Sequence, residues 1–296
     1  MKHMCNSTRL RSAGLALALA MFLAFLPMRA EVSAGYANGG LLVETEQLAK
    51  QLNDQNIRII DVRPREAYAK GHIPGAVHLG ADDVIDPISH VSGHLLPNQE
   101  LADQLGVLGI DHNTAVVLYD DKGGFHAARL FWMLEYFGHR KASILNGGIP
   151  KWVKEGRKLS DKTPKLSPKT FALNLTPRRM ASADWLLDRR DDKSSVLIDV
   201  RPVKMHKKGH IPWALSIPWK QNLTADATMK SAKELLAHFA AQGVTPDKNV
   251  AVHCQDGKAA AHSYFTLRLL GFPRIRSYDR SWAEWGAAED LPKTKG

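Results

Sequence analysis

Hydrophobic and polar positions along this chain switch repeatedly between two periods. Short apolar runs at Ile57–Val62, Val77–Leu79, Ala115–Tyr119 and Ala142–Leu145 have the length and β-branched content of buried strands. Between them, Glu46–Asn53, Gln99–Leu105 and His126–Phe137 space their apolar residues as helices do. The pattern then recurs, with strands expected near Val196–Val200, Leu215–Ile217, Asn249–His253 and Arg274–Tyr278. After Asn249–His253, the residues Tyr264, Leu267 and Leu270, with Phe265 and Leu269, fall at helical spacing. Strands alternating with helices predict an α/β fold, a parallel sheet covered by helices on both faces. In such sheets ligands bind beyond the carboxyl ends of the strands.

The recurrence is an internal duplication. Residues 61–76 read DVRPREAYAKGHIPGA and residues 199–214 read DVRPVKMHKKGHIPWA, an offset of 138 with ten of sixteen positions identical. Val116–Asp120 matches Val250–Cys254 at an offset of 134, and the stretch ending at Trp152 matches the one ending at Trp285 at 133. Three anchors in one order at nearly constant offset mean two copies of one domain, as 296 residues also suggest. The copies are expected over 40–158 and 178–292. The linker, 159–177, carries Pro164, Pro168 and several lysines with little periodicity.

At the start of the chain, Lys2, Arg9 and Arg11 precede an apolar run, Ala13–Leu26, that is short for a membrane span. Small residues follow, with cleavage expected after Ala30 or after Ala34. Residues 1–30 therefore read as an export signal, and a periplasmic or secreted chain without a membrane segment is expected. Four cations and no acid leave with them, so the formal charge falls from +10 to +6. No arginine-rich or aromatic-interleaved patch argues for nucleic acid. Of two cysteines, Cys5 leaves with the signal, and Cys254 becomes the lone thiol of an exported protein.

Cys254 opens the loop Cys254-Gln255-Asp256-Gly257-Lys258 between a strand and a helix. Unpaired N–H groups and the positive end of the helix dipole meet there, and both favour the nucleophilic thiolate. Most free cysteines are instead small buried hydrophobes; the polar neighbours favour the reactive reading. A phosphatase would need arginine six residues after the cysteine, where Ala260 stands. His253, Cys254 and His262 are poorly spaced for a metal, and no metal or cofactor is expected.

Together, the DVR…GHIPGA signature, the Cys-x-x-Gly-x-x-Ala loop, the Gly93-His94-Leu95-Leu96-Pro97 segment and the Tyr278–Trp285 ending resemble the tandem rhodanese family, over about residues 42–292. The resemblance implies thiosulfate or 3-mercaptopyruvate sulfurtransferase activity in the second domain alone. Cys254 would take a sulfane sulfur from a small anionic donor and pass it, as a persulfide, to a thiol or cyanide. The alternative is a non-enzymatic exported sulfur carrier or binding protein. The implied substrate-binding residues are Gln255, Asp256, Gly257, Lys258, Ala259 and Ala260, whose N–H groups would cradle the persulfide, and Lys204. For Lys258, attraction of the donor and a solvated surface position stay equally open.

The chain departs from the family's pattern at several places. Gln255 and Asp256 replace a basic pair or Gly-Ser, and Met205 replaces an arginine, with Lys204 adjacent. Arg280 stands where glycine is usual. The first copy has Asp120 in place of Cys254, so it is expected to be non-catalytic and to supply part of the cleft wall, with His94. Asp61, Arg63, His72, Asp199, Arg201 and His210 recur in both copies, which favours a structural role for all six. Sequence leaves the preferred donor, the acceptor and the oligomeric state open.

Overall fold

The computed structural model describes residues 35–295. The expected signal segment, its expected cleavage sites and Cys5 lie outside them. The first copy contains β1 (Leu42–Val43), α1 (Thr45–Ala49), β2 (Ile57–Asp61), α2 (Arg65–Lys70), β3 (Val77–His78), α3 (Asn98–Val107), β4 (Ala115–Tyr119), α4 (Ala127–Tyr136), β5 (Ala142–Leu145) and α5 (Gly148–Lys154). The second contains α6 (Ala183–Leu187), β6 (Ser195–Asp199), α7 (Val203–Lys208), β7 (Ala214–Ser216), α8 (Ala232–Ala240), β8 (Asn249–His253), α9 (Lys258–Leu269), β9 (Ile275–Ser277) and α10 (Ser281–Trp285).

Both sheets are wholly parallel, ordered β1-β5-β4-β2-β3 and β7-β6-β8-β9. The duplication is visible in the register. Asp61 pairs with Tyr119 across β2 and β4, and Asp199 pairs with His253 across β6 and β8. The edge pairing of β1 with β5 survives in the second copy as a single parallel bridge, Met180 to Ser277.

The expected strands are present to within a residue or two. Helices α2 and α7 were not legible. Six residues, opened by Pro64 and Pro202, are too short to display a 3.6-residue period.

Strand alternation decides which face looks where. Val116 and Leu118, and Val250, Val252 and Cys254, lie in one continuous core that spans both copies, with α3, α4, α8 and α9 around it. Val117 and Tyr119 point into a separate core under α5, and Ala251 into another with Tyr278 and Trp285. The period of two therefore aims Cys254 at the boundary between domains. The segment between the copies has no helix or strand before residue 177. It is nonetheless fastened to the first domain, with Phe171 buried in the shared core and Lys169, Asn174 and Thr176 donating N–H bonds to Gly106, Phe137 and Tyr136.

Among the described residues no helix is long and apolar enough to cross a membrane.

Candidate active site

Cys254 directly follows β8 and is 1% exposed. Its Sγ accepts the Gly257 N–H at 3.2 Å and lies 4.0 Å from Asp256 Oδ1. Gly257 turns the loop at φ +85°, a conformation that favours glycine. From the far side, α10 holds the loop in place. The Cys254 N–H donates to Ser281 Oγ at 3.0 Å, and the Ser281 hydroxyl donates to the Tyr278 carbonyl at 2.8 Å. The N–H groups of Trp282 and Ala283 donate to the carbonyls of Cys254 and Gln255. Ser281 adopts φ +53°, uncommon for a non-glycine residue, and its Oγ comes within 3.9 Å of Sγ.

Burial opposes the thiolate that the loop's N–H groups favour. Burial pushes the Cys254 thiol up, and the Asp256 carboxylate pushes it further. Backbone N–H groups of the loop and the Ser281 hydroxyl work in the opposite direction without overcoming it. Desolvation is the largest of these influences and favours the neutral form.

The first copy supplies a natural control. Asp120 occupies the place of Cys254 and is fully buried. Its carboxylate accepts the N–H groups of Lys122, Gly124, His126 and Ala127 at 2.9, 2.8, 2.6 and 3.0 Å. This strand-to-helix loop is thus an anion cradle, and in one copy the chain has filled it with its own carboxylate.

The six duplicated residues form matching struts. Arg63 clamps Asp61 and the Gly71 carbonyl (2.8 Å), and Arg201 clamps Asp199 and the Gly209 carbonyl (2.7 Å). The rings of His72 and His210 each bond a backbone carbonyl four residues back.

Other anticipated groups are placed less simply. The Lys258 ammonium is tied to Asp82 of the first domain at 2.8 Å, so it is neither a free surface lysine nor a free cation. Arg280, the residue that caps α10, pairs with Glu284 at 2.9 Å. Lys204 is an exposed side chain on α7, and Gln255 is exposed beside the nucleophile. Asp256 and Ala259 are half-buried, and Ala260 is buried at the start of α9. His94, half-buried, bonds Ser89 and lines an interdomain cavity of about 690 Å³ with Trp132, Tyr136, Asp279 and Arg280; Cys254 is not in its wall.

Two groups of the first domain reach the loop unannounced. A side chain at Gly93 (φ +79°) would collide with Asp256. Arg129, on α4, is fully buried; it donates to the Asp279 carboxylate and, at 2.7 Å, to the Gly93 carbonyl. The signal for Arg129 was a charge inside the apolar run Ala127–Leu134, which amphipathic reading treats as an exposed position.

A model of the rhodanese-like domain matches the chain twice, at residues 44–155 and 182–288. The chain belongs to the rhodanese family. Among its rhodanese relatives, a protein named sulfur carrier protein TtuD from Thermus thermophilus is 34% identical, covering 88% of this chain and 99% of that one. The 3-mercaptopyruvate sulfurtransferase of Escherichia coli is 32% identical (84% and 96% covered), and the thiosulfate sulfurtransferase of Azotobacter vinelandii 30% (87% and 98%). The crystal structure of the E. coli 3-mercaptopyruvate enzyme SseA superposes with a TM-score of 0.75 at 30% identity, covering 82% of this chain and 98% of that one. The anaerobic ergothioneine biosynthesis enzyme of Chlorobium limicola, in complex with trimethyl histidine, superposes with 0.81 at 23% identity, covering 88% and 71%; that likeness shows the fold alone. The relatives make this chain a rhodanese of the sulfurtransferase group.

Proposed function

We propose that this chain is an exported sulfurtransferase whose second domain carries sulfur on Cys254. The thiol first gives up its proton. The thiolate then attacks the outer sulfur of a small anionic donor. With thiosulfate, the S–S bond breaks and sulfite leaves with the bonding pair; with 3-mercaptopyruvate, the C–S bond breaks and pyruvate leaves after taking a proton. A thiolate or cyanide then attacks the persulfide's outer sulfur, and the Cys254 thiolate departs with the pair of the S–S bond. No cofactor enters the scheme.

The observation that carries this reading is the paired loops. One cradle is filled by Asp120 through four N–H bonds, and its duplicate presents a lone cysteine sulfur to the Gly257 N–H. A cradle that holds a carboxylate in one copy is suited to a persulfide anion in the other. Asp256 beside the sulfur supports 3-mercaptopyruvate, with one carboxylate, over the dianion thiosulfate.

A second reading, a carrier that loads one sulfur and hands it to a partner protein, is favoured by the likeness to the relative named sulfur carrier protein TtuD. Steady-state cyanolysis with each donor separates the two, since a carrier takes up one sulfur without turning over. Cys254→Ser is expected to abolish transfer with the fold intact, Asp120→Ala to cost little turnover, and mass spectrometry to find one added sulfur on Cys254. Turnover by the serine variant would refute the assignment. Export is read from residues 1–30, and native protein still beginning at Met1 would overturn it.

A further inference from the structure

Arg129 is the least expected charge in the molecule. It comes from the domain without a nucleophile, is fully buried, and sits on a helix whose neighbouring positions are apolar. Its Nη1 donates to Asp279 and its Nη2 to the Gly93 carbonyl, while its buried Nε–H has no partner. Gly257, the turn residue of the Cys254 loop, makes room for it. A Cβ there would strike Arg129 Nη1 and stand 2.7 Å from the Asp279 carbonyl. An arginine that only joined two domains would need neither a cleared path to this loop nor a donor left over.

The duplication sharpens the point. At the offset of 133 that relates the two helices, Arg129 corresponds to His262 on α9. His262 is also buried, and it also crosses the boundary, its Nε2 lying 3.2 Å from the Gly123 carbonyl in the loop of Asp120. Each helix therefore sends one basic side chain into the other copy's loop. Burial lowers His262 to about 4, so it is neutral at pH 7 and meets a loop already holding a carboxylate. Burial lowers Arg129 only to about 10, with Cys254 and Asp256 opposing the fall, so it stays a cation and meets the loop with the sulfur. The two copies have diverged in the direction that matches their occupants.

We propose that Arg129 is a positioning residue lent by the first domain, holding the Cys254 loop in place and favouring a negative sulfur there over a neutral one. This rests on the sulfurtransferase reading for its biological sense, but its test does not. The observable is the pH dependence of Cys254 alkylation by iodoacetamide in the full-length mature chain, which needs no donor.

Arg129→Gln is expected to move the alkylation midpoint up by about one unit and to slow reaction at neutral pH about tenfold, with Arg129→Lys recovering part of the loss. Asp279→Asn separates charge from scaffolding. It removes the counter-charge of Arg129, so the midpoint should fall and neutral-pH alkylation should accelerate, even though an interdomain pair has been broken. Near-UV circular dichroism reports whether each variant is folded, and the lysine and asparagine variants keep the test open should the glutamine variant unfold. A merely structural arginine predicts a different pattern, with an unchanged midpoint in every folded variant or the same direction of change for Arg129→Gln and Asp279→Asn. Either result overturns the proposal. Wild-type protein that forms no persulfide, but shows these opposite shifts, refutes the sulfurtransferase reading and leaves the role of Arg129 standing.

Discussion

Asp256 sets the chemistry available beside the nucleophile. Its Oδ1 stands 4.0 Å from Sγ, and its charge adds to burial in pushing the thiol up. A donor bound at about 4–6 Å, at an effective dielectric near 20, would feel roughly 3–4 kcal/mol per unit-charge pair before screening. Solvent and salt reduce that figure considerably. Thiosulfate carries two charges and 3-mercaptopyruvate one carboxylate, so Asp256→Asn should raise kcat/KM for thiosulfate more than for mercaptopyruvate, mainly through KM. The same variant should move the pH midpoint of Cys254 alkylation downward. The Lys258–Asp82 pair leaves Lys258 partly neutralised, so Lys258→Ala should weaken both donors, thiosulfate more. A donor ratio unchanged by Asp256→Asn at low salt would mean that the carboxylate does not face the donor. Residue identity made this argument possible from sequence; that Lys258 is paired was not legible, because Asp82 lies 176 positions away.

Helices α4 and α9 are counterparts in the duplication and pack across its boundary, with Phe131 and Phe265 edge to face at 5.0 Å. One ion pair joins them at matching positions. Glu135 and Arg268 are related by the same offset of 133, and Arg268 Nη2 reaches Glu135 Oε1 at 2.8 Å while its Nε reaches Oε2 at 2.9 Å. Two like residues at a quasi-twofold contact would repel; here the copies have taken opposite charges. Burial works to raise Glu135, yet Arg268, together with Arg179 and Tyr264, holds it below the usual carboxylate range. Arg268→Ala leaves a largely buried carboxylate with weaker compensation, a loss of about 3–5 kcal/mol by analogy with other broken buried pairs. Denaturant unfolding should show that loss, and the double variant Arg268→Ala/Glu135→Ala should regain part of it. Equal stabilities of wild type and Arg268→Ala would show that Arg179 alone suffices. The helices were legible as elements; their pairing was not, because nothing local to either stretch names its neighbour.

Across the whole molecule, one hydrophobic core runs through both copies. Heating should therefore give a single transition with matching calorimetric and van't Hoff enthalpies, not two. Acid should weaken it by a definable route. His253 and His262 are fully buried, and burial lowers each from 6.5 to about 4. Unfolded, each binds a proton near pH 6.5; folded, only near 4. The unfolded state thus holds more protons between those values, and stability rises with pH across that window. The contribution is full above about 6.5 and lost as pH falls through 4, on the order of 3 kcal/mol per histidine. Thermal melts from pH 7.5 to 4 should show this slope, and a His253→Gln/His262→Gln variant should flatten it, whatever its stability at pH 7.5. An undiminished slope would assign the acid sensitivity to other groups.

Local pattern was enough for the strands, the duplication, the recurring Asp-Arg struts and the strand-to-helix loop that Cys254 opens, because each is written in neighbouring residues or in a repeat of them. Glycine at 257 was likewise legible, since a turn that needs positive φ names its residue. Only the tertiary structure decided that burial opposes the Cys254 thiolate. Desolvation depends on everything packed around the sulfur, and the loop that carries it is itself packed against Gly93 and Arg129 of the other copy. Tertiary structure also decided which cations are free near the nucleophile. Lys258, Arg129 and Arg280 each find a carboxylate, two of them across the domain boundary. Charge can be counted along a chain, but its neutralisation depends on distances between segments far apart in sequence.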